Sequence, residues 1–280
     1  MTEHYISLAG ASYQLSAIVH QAPATTGVLL IVGGPQYRVG SHRQFVKLSR
    51  YLAAQGVPSM RLDTAGMGDS SGSKAAFYQQ TADIELAIDA FFQQCPQLTQ
   101  VVLWGLCDAA SAILIKLNRP DPRISGVILL NPWVRQQQSH AKAMLKHYYL
   151  KRLLSRQFWH KLFGGGLALR RSISSFWQTL RASKTTTVAA TAQLTVTEQN
   201  YVAAMLSGWQ QFNGKVLLIS SGNDLTAQEF LQLCVDNPAW GKCLRDAGHY
   251  PISDASHTFS SARWREQVEQ QSYNFVQATK

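Results

Sequence analysis

The sequence predicts an α/β fold, a mostly parallel sheet covered by helices, and three observations carry that prediction. Short apolar runs alternate with longer helix-like stretches, as a parallel sheet and its crossover helices require. Several of those runs stop at Gly, Asp or Asn turns. The alternation then lapses once, over 133–212, before it resumes. With 280 residues, 46% of them hydrophobic, the chain has enough apolar surface for one sizeable core.

The elements follow in order. Residues 28–32 (VLLIV) read as a buried strand ending at Gly33-Gly34-Pro35, and a helix is expected over 42–55. A second strand over 57–62 runs into Asp63-Thr64-Ala65-Gly66-Met67-Gly68-Asp69-Ser70. Residues 77–94 are helical, with Ile84, Ala87, Ile88 and Phe91 on one face, and Cys95-Pro96 ends them. A strand at 101–104, a helix at 109–117 and a strand at 127–130 come next, the last stopped by Asn131-Pro132. After the lapse, 215–220 is a strand leading to Ser221-Gly222-Asn223-Asp224; a helix near 227–235, a short strand at 250–252 and a closing helix from 262 complete the chain. The organisation expected is a core of 1–132 and 213–280, with 133–212 inserted between two late strands as a basic helical cap.

Composition excludes several classes of protein. With 7 Trp, 10 Tyr and 11 Phe the chain is not of the disordered type. Cys95, Cys107, Cys234 and Cys243 form no C-x-x-C pair, and the histidines lack close two-ligand spacing, so neither a disulfide framework nor a metal is expected. No cofactor fingerprint is present either. The first residues, MTEHYISLAG, lack the basic flank and apolar stretch of a signal peptide, and no run reaches the roughly 18 apolar residues of a membrane span, so a cytoplasmic protein is expected.

The net charge of +10 is concentrated rather than spread. Between Pro122 and Thr197 there is no Asp or Glu, while twelve basic residues fall there, from Arg123 and Arg135 through Lys142 to Lys184. The remainder of the chain carries 14 basic against 16 acidic residues. Such an insert is suited to an acidic partner: an anionic membrane surface or an acidic acyl-carrier protein, with Trp159, Phe163 and Trp177 to meet an acyl chain. No nucleic-acid reading motif accompanies the charge, and the insert shows no clean amphipathic helix.

The chemistry points to Trp104-Gly105-Leu106-Cys107-Asp108-Ala109-Ala110-Ser111, which lies between an apolar strand and a helix. A side chain on so tight a turn needs small residues two positions to either side, and Gly105 and Ala109 meet that need. The start of the helix points its N–H groups at the tip, so a cysteine there is expected to have a lowered thiol pKa. The stretch resembles the nucleophile elbow G-x-S-x-G of α/β-hydrolases, with Cys107 in the place of Ser and Ala109 in the place of the second Gly. A cysteine there is also found in dienelactone-hydrolase-like and polyester-synthase-like members.

Other segments extend the resemblance. Gly33-Gly34-Pro35-Gln36 stands where the family places its oxyanion loop, and Asp63-x-x-Gly66-x-Gly68-x-Ser70 matches a turn common after the next strand. The run 33–44 (GGPQYRVGSHRQ), the elbow, and Ser256-His257-Thr258-Phe259-Ser260 resemble the exosortase A system-associated hydrolase 1 family in particular. The resemblance implies a Cys107, Asp224, His257 triad and an S-acyl enzyme. Backbone N–H groups of Asp108 and of Gln36 or Gly34 would hold the oxyanion, since Pro35 has none to give. Ala247-Gly248-His249 also matches a segment that carries the base in relatives, so His249 is the alternative to His257; the order of elements favours His257. The activity implied is hydrolysis of an acyl ester or thioester. Acyl transfer by the same triad, or a silent hydrolase fold that binds an anionic lipid or carrier, are the alternatives. Asp224 also sits where it would cap the following helix, and Asp108 where it would serve as a helix-start charge.

Overall fold

The computed structural model describes residues 3–34, 36–135 and 195–279. Eight strands form one sheet: β1 (Glu3–Ala9), β2 (Gln14–His20), β3 (Thr26–Ile31), β4 (Ser59–Leu62), β5 (Gln100–Leu106), β6 (Ile124–Leu130), β7 (Lys215–Ser221) and β8 (Gly248–Ile252). Their order is β1-β2-β4-β3-β5-β6-β7-β8. From β4 to β8 all pairings are parallel, and β1 and β2 add an antiparallel edge. The helices are α1 (Gln44–Ala54), α2 (Thr81–Gln94), α3 (Asp108–Lys116), α4 (Tyr201–Gln211), α5 (Leu225–Asp236), α6 (Pro238–Asp246) and α7 (Ala262–Ala278).

Successive strand residues face opposite layers, which is why the central strands read as continuous apolar runs. Val28, Leu30, Val102, Trp104, Ile128, Leu130 and Ile219 pack under α1 and α7. Leu29, Ile31, Val101, Leu103, Val127, Leu129 and Leu218 pack under α2 to α6. Both faces of the sheet are therefore dry. A parallel sheet of this kind places its functional loops at the carboxyl ends of its strands, and Gly33-Gly34, Cys107 and Asp224 all lie there.

The sequence reading needs amendment at three places. The β1–β2 hairpin escaped it, because β1 alternates exposed and half-buried positions and has little apolar signal. The short helix α6 also escaped it; Asn237 caps α6 through Ala239 and Trp240 N–H groups, with Pro238 at its first turn. The third concerns the boundary of the insert. Residues 1–135 and 196–280 form one compact unit, so the stretch 133–135 and α4 belong with the sheet. Helix α4 packs against α3, and a Cβ on Gly208 would lie 1.9 Å from the Leu114 carbonyl oxygen, so the crossing requires glycine there. The cap itself and its basic residues from Lys142 to Lys184 lie outside the described residues. Arg123 and Arg135 do have counterions, supplied from other segments: Arg123 pairs with Asp89 and Asp121, and Arg135 with Glu229. Among the described residues no helix is long and apolar enough to cross a membrane.

Candidate active site

Cys107 occupies the turn between β5 and α3 with φ 62° and ψ −123°, a backbone conformation that costs a side-chain-bearing residue of the order of 1–3 kcal/mol. Three contacts hold it there. The Cys107 N–H donates to the Leu130 carbonyl at 2.8 Å, the Trp133 N–H donates to the Cys107 carbonyl at 3.3 Å, and Ser111 Oγ donates to the Trp133 carbonyl at 2.7 Å. Ser111 is fully buried and thus committed to structure. The small neighbours are needed as anticipated: a Cβ on Gly105 would meet the Ala109 backbone at 2.8 Å. The methyl of Ala109, where the family more often has glycine, is accommodated by Gly33 opposite, whose own Cβ would lie 3.0 Å from it.

Asp224, directly after β7, has two duties. Its carboxylate accepts the Thr226 and Ala227 N–H groups at 3.3 and 3.1 Å, capping α5, and also meets His257 Nδ1 at 2.9 Å. Burial works against its charge, but the His257 hydrogen bond and the capping N–H groups outweigh that and hold the carboxyl below its ordinary range. If Nδ1 donates to Asp224, Nε2 is the ring nitrogen of His257 left to face the site. His249, the alternative, lies on β8 beside Leu218 with Nε2 2.8 Å from Ser220 Oγ. Asp224 thus joins His257, and His249 has a different partner.

Asn131 links these pieces, and the sequence reading had used it only to end a strand. It is fully buried with φ 44°. Its Nδ2 donates to Ser221 Oγ at 2.8 Å and to the His257 carbonyl at 3.1 Å, while its Oδ1 accepts the Ser221 N–H at 2.9 Å. One amide therefore binds the residue after β6, the end of the acid-bearing strand and the histidine loop. Nothing local in Asn131-Pro132 signals this, because every partner lies 90 or more positions away.

The site differs from expectation in two respects, the first on the oxyanion side. The Gly34 N–H donates to Asp108 Oδ2 at 2.8 Å, so it is committed, and the Asp108 side chain does more than charge a helix start. Among the described residues the Gln36 N–H has no such partner, and it remains, with the Asp108 N–H, a candidate oxyanion donor. The loop between is anchored by Arg38, whose guanidinium bridges Asp63 and Asp69, and by Gln36 Oε1, which accepts the Ser41 N–H at 3.1 Å. Its far end, His42 and Arg43, is exposed and left-handed, with φ 53° and 61°.

The second difference concerns the thiol. A lowered pKa was expected, yet burial, and after it the charge of Asp108, push Cys107 up to about 12, against the opposing N–H of Asp108 and charge of Arg135. Desolvation of a thiolate outweighs the helix end. Cys107 therefore rests as a thiol, and a base would have to remove its proton for the sulfur to act as a nucleophile. Cys95, Cys234 and Cys243 are buried in the core.

A mostly parallel, helix-covered sheet with a strained turn between β5 and α3, and an acid and histidine following in chain order, defines an α/β-hydrolase. The chain belongs to the family described as serine aminopeptidase, S33, whose model matches residues 24–229, and it is a hydrolase of that class. Among curated proteins no sequence matches it. Solved structures share the fold at low identity. The esterase Pf2001 of Pyrococcus furiosus aligns with TM-score 0.65 at 13% identity, covering 99% of this chain and 92% of its own. Est1E of Butyrivibrio proteoclasticus, solved with ferulic acid, aligns with TM-score 0.62 at 13%, covering 98% of both chains. The α/β-hydrolase GrgF of Penicillium sp. sh18 aligns with TM-score 0.62 at 14%, covering 100% of this chain and 99% of its own.

Proposed function

We propose that the protein hydrolyses an acyl ester or thioester through Cys107, His257 and Asp224. The observation that carries this reading is the His257–Asp224 hydrogen bond of 2.9 Å, tied by Asn131 to the strand end next to the Cys107 turn. In the reaction His257 Nε2 takes the Sγ proton as sulfur attacks the acyl carbon, and the Asp108 and Gln36 N–H groups receive the oxyanion. Collapse expels the alcohol or thiol, protonated by His257, and leaves an S-acyl enzyme. Water, deprotonated by the same imidazole, then cleaves the thioester, releasing the acid and restoring the thiol. Pf2001 and Est1E, an esterase and a protein solved with ferulic acid, are consistent with an ester substrate.

An exosortase-associated role rests on the sequence resemblance of the 33–44, elbow and 256–260 segments. An acidic carrier or anionic surface as partner rests on the charge of the insert.

The test is intact-mass and peptide-mapping spectrometry after brief exposure to p-nitrophenyl acetate and to short-chain acyl thioesters. The acyl group should appear on Cys107 in wild type and in His249→Ala, and should fall by about 100-fold or more in His257→Ala. Acylation that survives His257→Ala but fails in His249→Ala would transfer the base to His249, and acylation at another residue would end the Cys107 reading.

A further inference from the structure

The Asp108 carboxylate, next in sequence to the nucleophile, is held in an unusual setting. One oxygen, Oδ2, accepts the Gly34 N–H at 2.8 Å. The other, Oδ1, is buried and has no well-formed hydrogen bond among the described residues, lying over Gly33 and the first turn of α3, where the Ala109 N–H favours its charge. A Cβ on Gly33 would lie 2.0 Å from that oxygen, so the glycine is required by the carboxylate above it. This carboxyl, which burial pushes up and the Gly34 and Ala109 N–H groups hold down, occupies one N–H of the loop that would otherwise receive an oxyanion, and it belongs to the residue that follows Cys107. The charged groups acting on Cys107 are Asp108, Asp224 and Arg135, with His257 paired to Asp224; Lys74 is the cation acting on Asp108.

We propose that Asp108 is a positioning residue with two duties: its carboxylate pins the Gly33-Gly34 backbone to the nucleophile helix, and its charge suppresses free thiolate at Cys107. The inference deepens the reading of Cys107 as nucleophile and rests on it. The consequence is a sulfur that stays protonated at rest and is uncovered only when His257 withdraws the proton in the course of attack. An adjacent anion disfavours a second negative charge by Coulomb repulsion, which the partly dry site screens weakly. Burial of the thiol acts in the same direction, and so does Asp224, while Arg135 opposes them.

The experiment needs no substrate. Full-length wild type, Asp108→Asn and Asp108→Ala are alkylated with iodoacetamide from about pH 6 to about pH 10, and the rate at Cys107 is read by peptide mapping. The buried Cys95, Cys234 and Cys243 are internal controls. Asparagine keeps an acceptor for the Gly34 N–H and removes the charge, so its profile should move about one pH unit toward acid, with about tenfold faster labelling near neutrality. Hydrogen exchange of the peptide containing Gly34 should be unchanged in Asp108→Asn and faster in Asp108→Ala. A Cys107 profile in Asp108→Asn that overlays wild type overturns the charge duty. Exchange at Gly34 that is equally slow in Asp108→Ala overturns the pin. If Asp108→Ala does not fold, Asp108→Ser, with a shorter side chain, takes its place in the exchange arm. Failure of acyl esters to label Cys107, alongside a shifted alkylation profile, would remove the nucleophile and leave the effect of the Asp108 charge standing.

Discussion

At the scale of single residues, the site depends on side chains forced into conformations that their own chemistry disfavours. Cys107, Asn131 and Phe259 all have positive φ, and all three belong to the turns that carry or support the proposed triad. Asn131 is the informative one, because its amide uses both donor and acceptor on groups that water cannot reach. Replacing it by alanine leaves the buried Ser221 N–H and Oγ and the half-buried His257 carbonyl without that partner, and a buried orphan costs about 1–3 kcal/mol. Asn131→Ala is therefore expected to lose about 3 kcal/mol of stability by urea denaturation. Ester turnover, measured well below its melting temperature, should fall about tenfold, short of the collapse in His257→Ala. Turnover equal to wild type in the folded variant would reduce Asn131 to a purely structural role. The same scale explains why the thiol defied expectation: a helix terminus contributes at most a few kcal/mol through partial charges, whereas taking a thiolate out of water and placing it next to a carboxylate costs more.

At the scale of elements, the decisive contact is the crossing of α3 and α4. Helix α3 has Cys107 at its N-terminal end, and eight of its nine residues are buried. Along its length Gly208 of α4 brings the two backbones together at Leu114, while Asn118 Nδ2 donates to the Ala204 carbonyl at 2.8 Å. Gly208→Ala puts a methyl where no space exists, and overpacking of this kind costs about 1–3 kcal/mol. Thermal melting should show the loss, and the cysteine turn, a helix end away, should keep its alkylation behaviour. A melting temperature at or above that of wild type would mean that the crossing relaxes freely. The antiparallel edge is a second element with a consequence. His20 on β2 is buried with both ring nitrogens unpartnered among the described residues, and burial lowers its pKa from 6.5 to about 4. The folded state therefore disfavours the imidazolium that the unfolded chain forms readily. Its stability contribution is complete above pH 6.5 and is lost as pH falls toward about 4. By that difference the loss reaches about 3 kcal/mol. Urea titrations at several pH values in that window should show it in wild type and show it abolished in His20→Leu. An identical slope in both proteins would assign the acid sensitivity elsewhere. Asp224, held below its ordinary range, has the same sign in a lower window, below about pH 4, and so does not obscure the test.

At the scale of the whole molecule, the sheet gathers residues that the chain keeps far apart. Gly34, Cys107, Asn131, Asp224 and His257 come from five segments, and the parallel order β3-β5-β6-β7-β8 delivers all five to one edge. The chain succession of those strands and the elbow were legible because they arise from local causes, whereas the order of the strands in the sheet was not. Apolar period, turn residues and the steric demand for Gly105 and Ala109 are each written within a few residues. The β1–β2 hairpin and α6 were less legible, since a half-exposed edge strand and a nine-residue helix have little hydrophobic contrast. The assignment of the order nucleophile, acid, histidine was likewise a matter of sequence, and the hydrolase family match agrees with the class it implied.

Local chemistry along the chain thus fixes the class: an α/β sheet, a tight strand-to-helix turn with a cysteine at its tip, and the candidates for acid and base. Tertiary structure alone decided which histidine meets Asp224, which N–H of the 33–36 loop is already taken, and what state the thiol rests in. The physical reason is range. Backbone conformation and amphipathic period answer to neighbours in sequence, whereas hydrogen-bond partnership, desolvation and the repulsion of two anions depend on distances that exist only once the chain has folded.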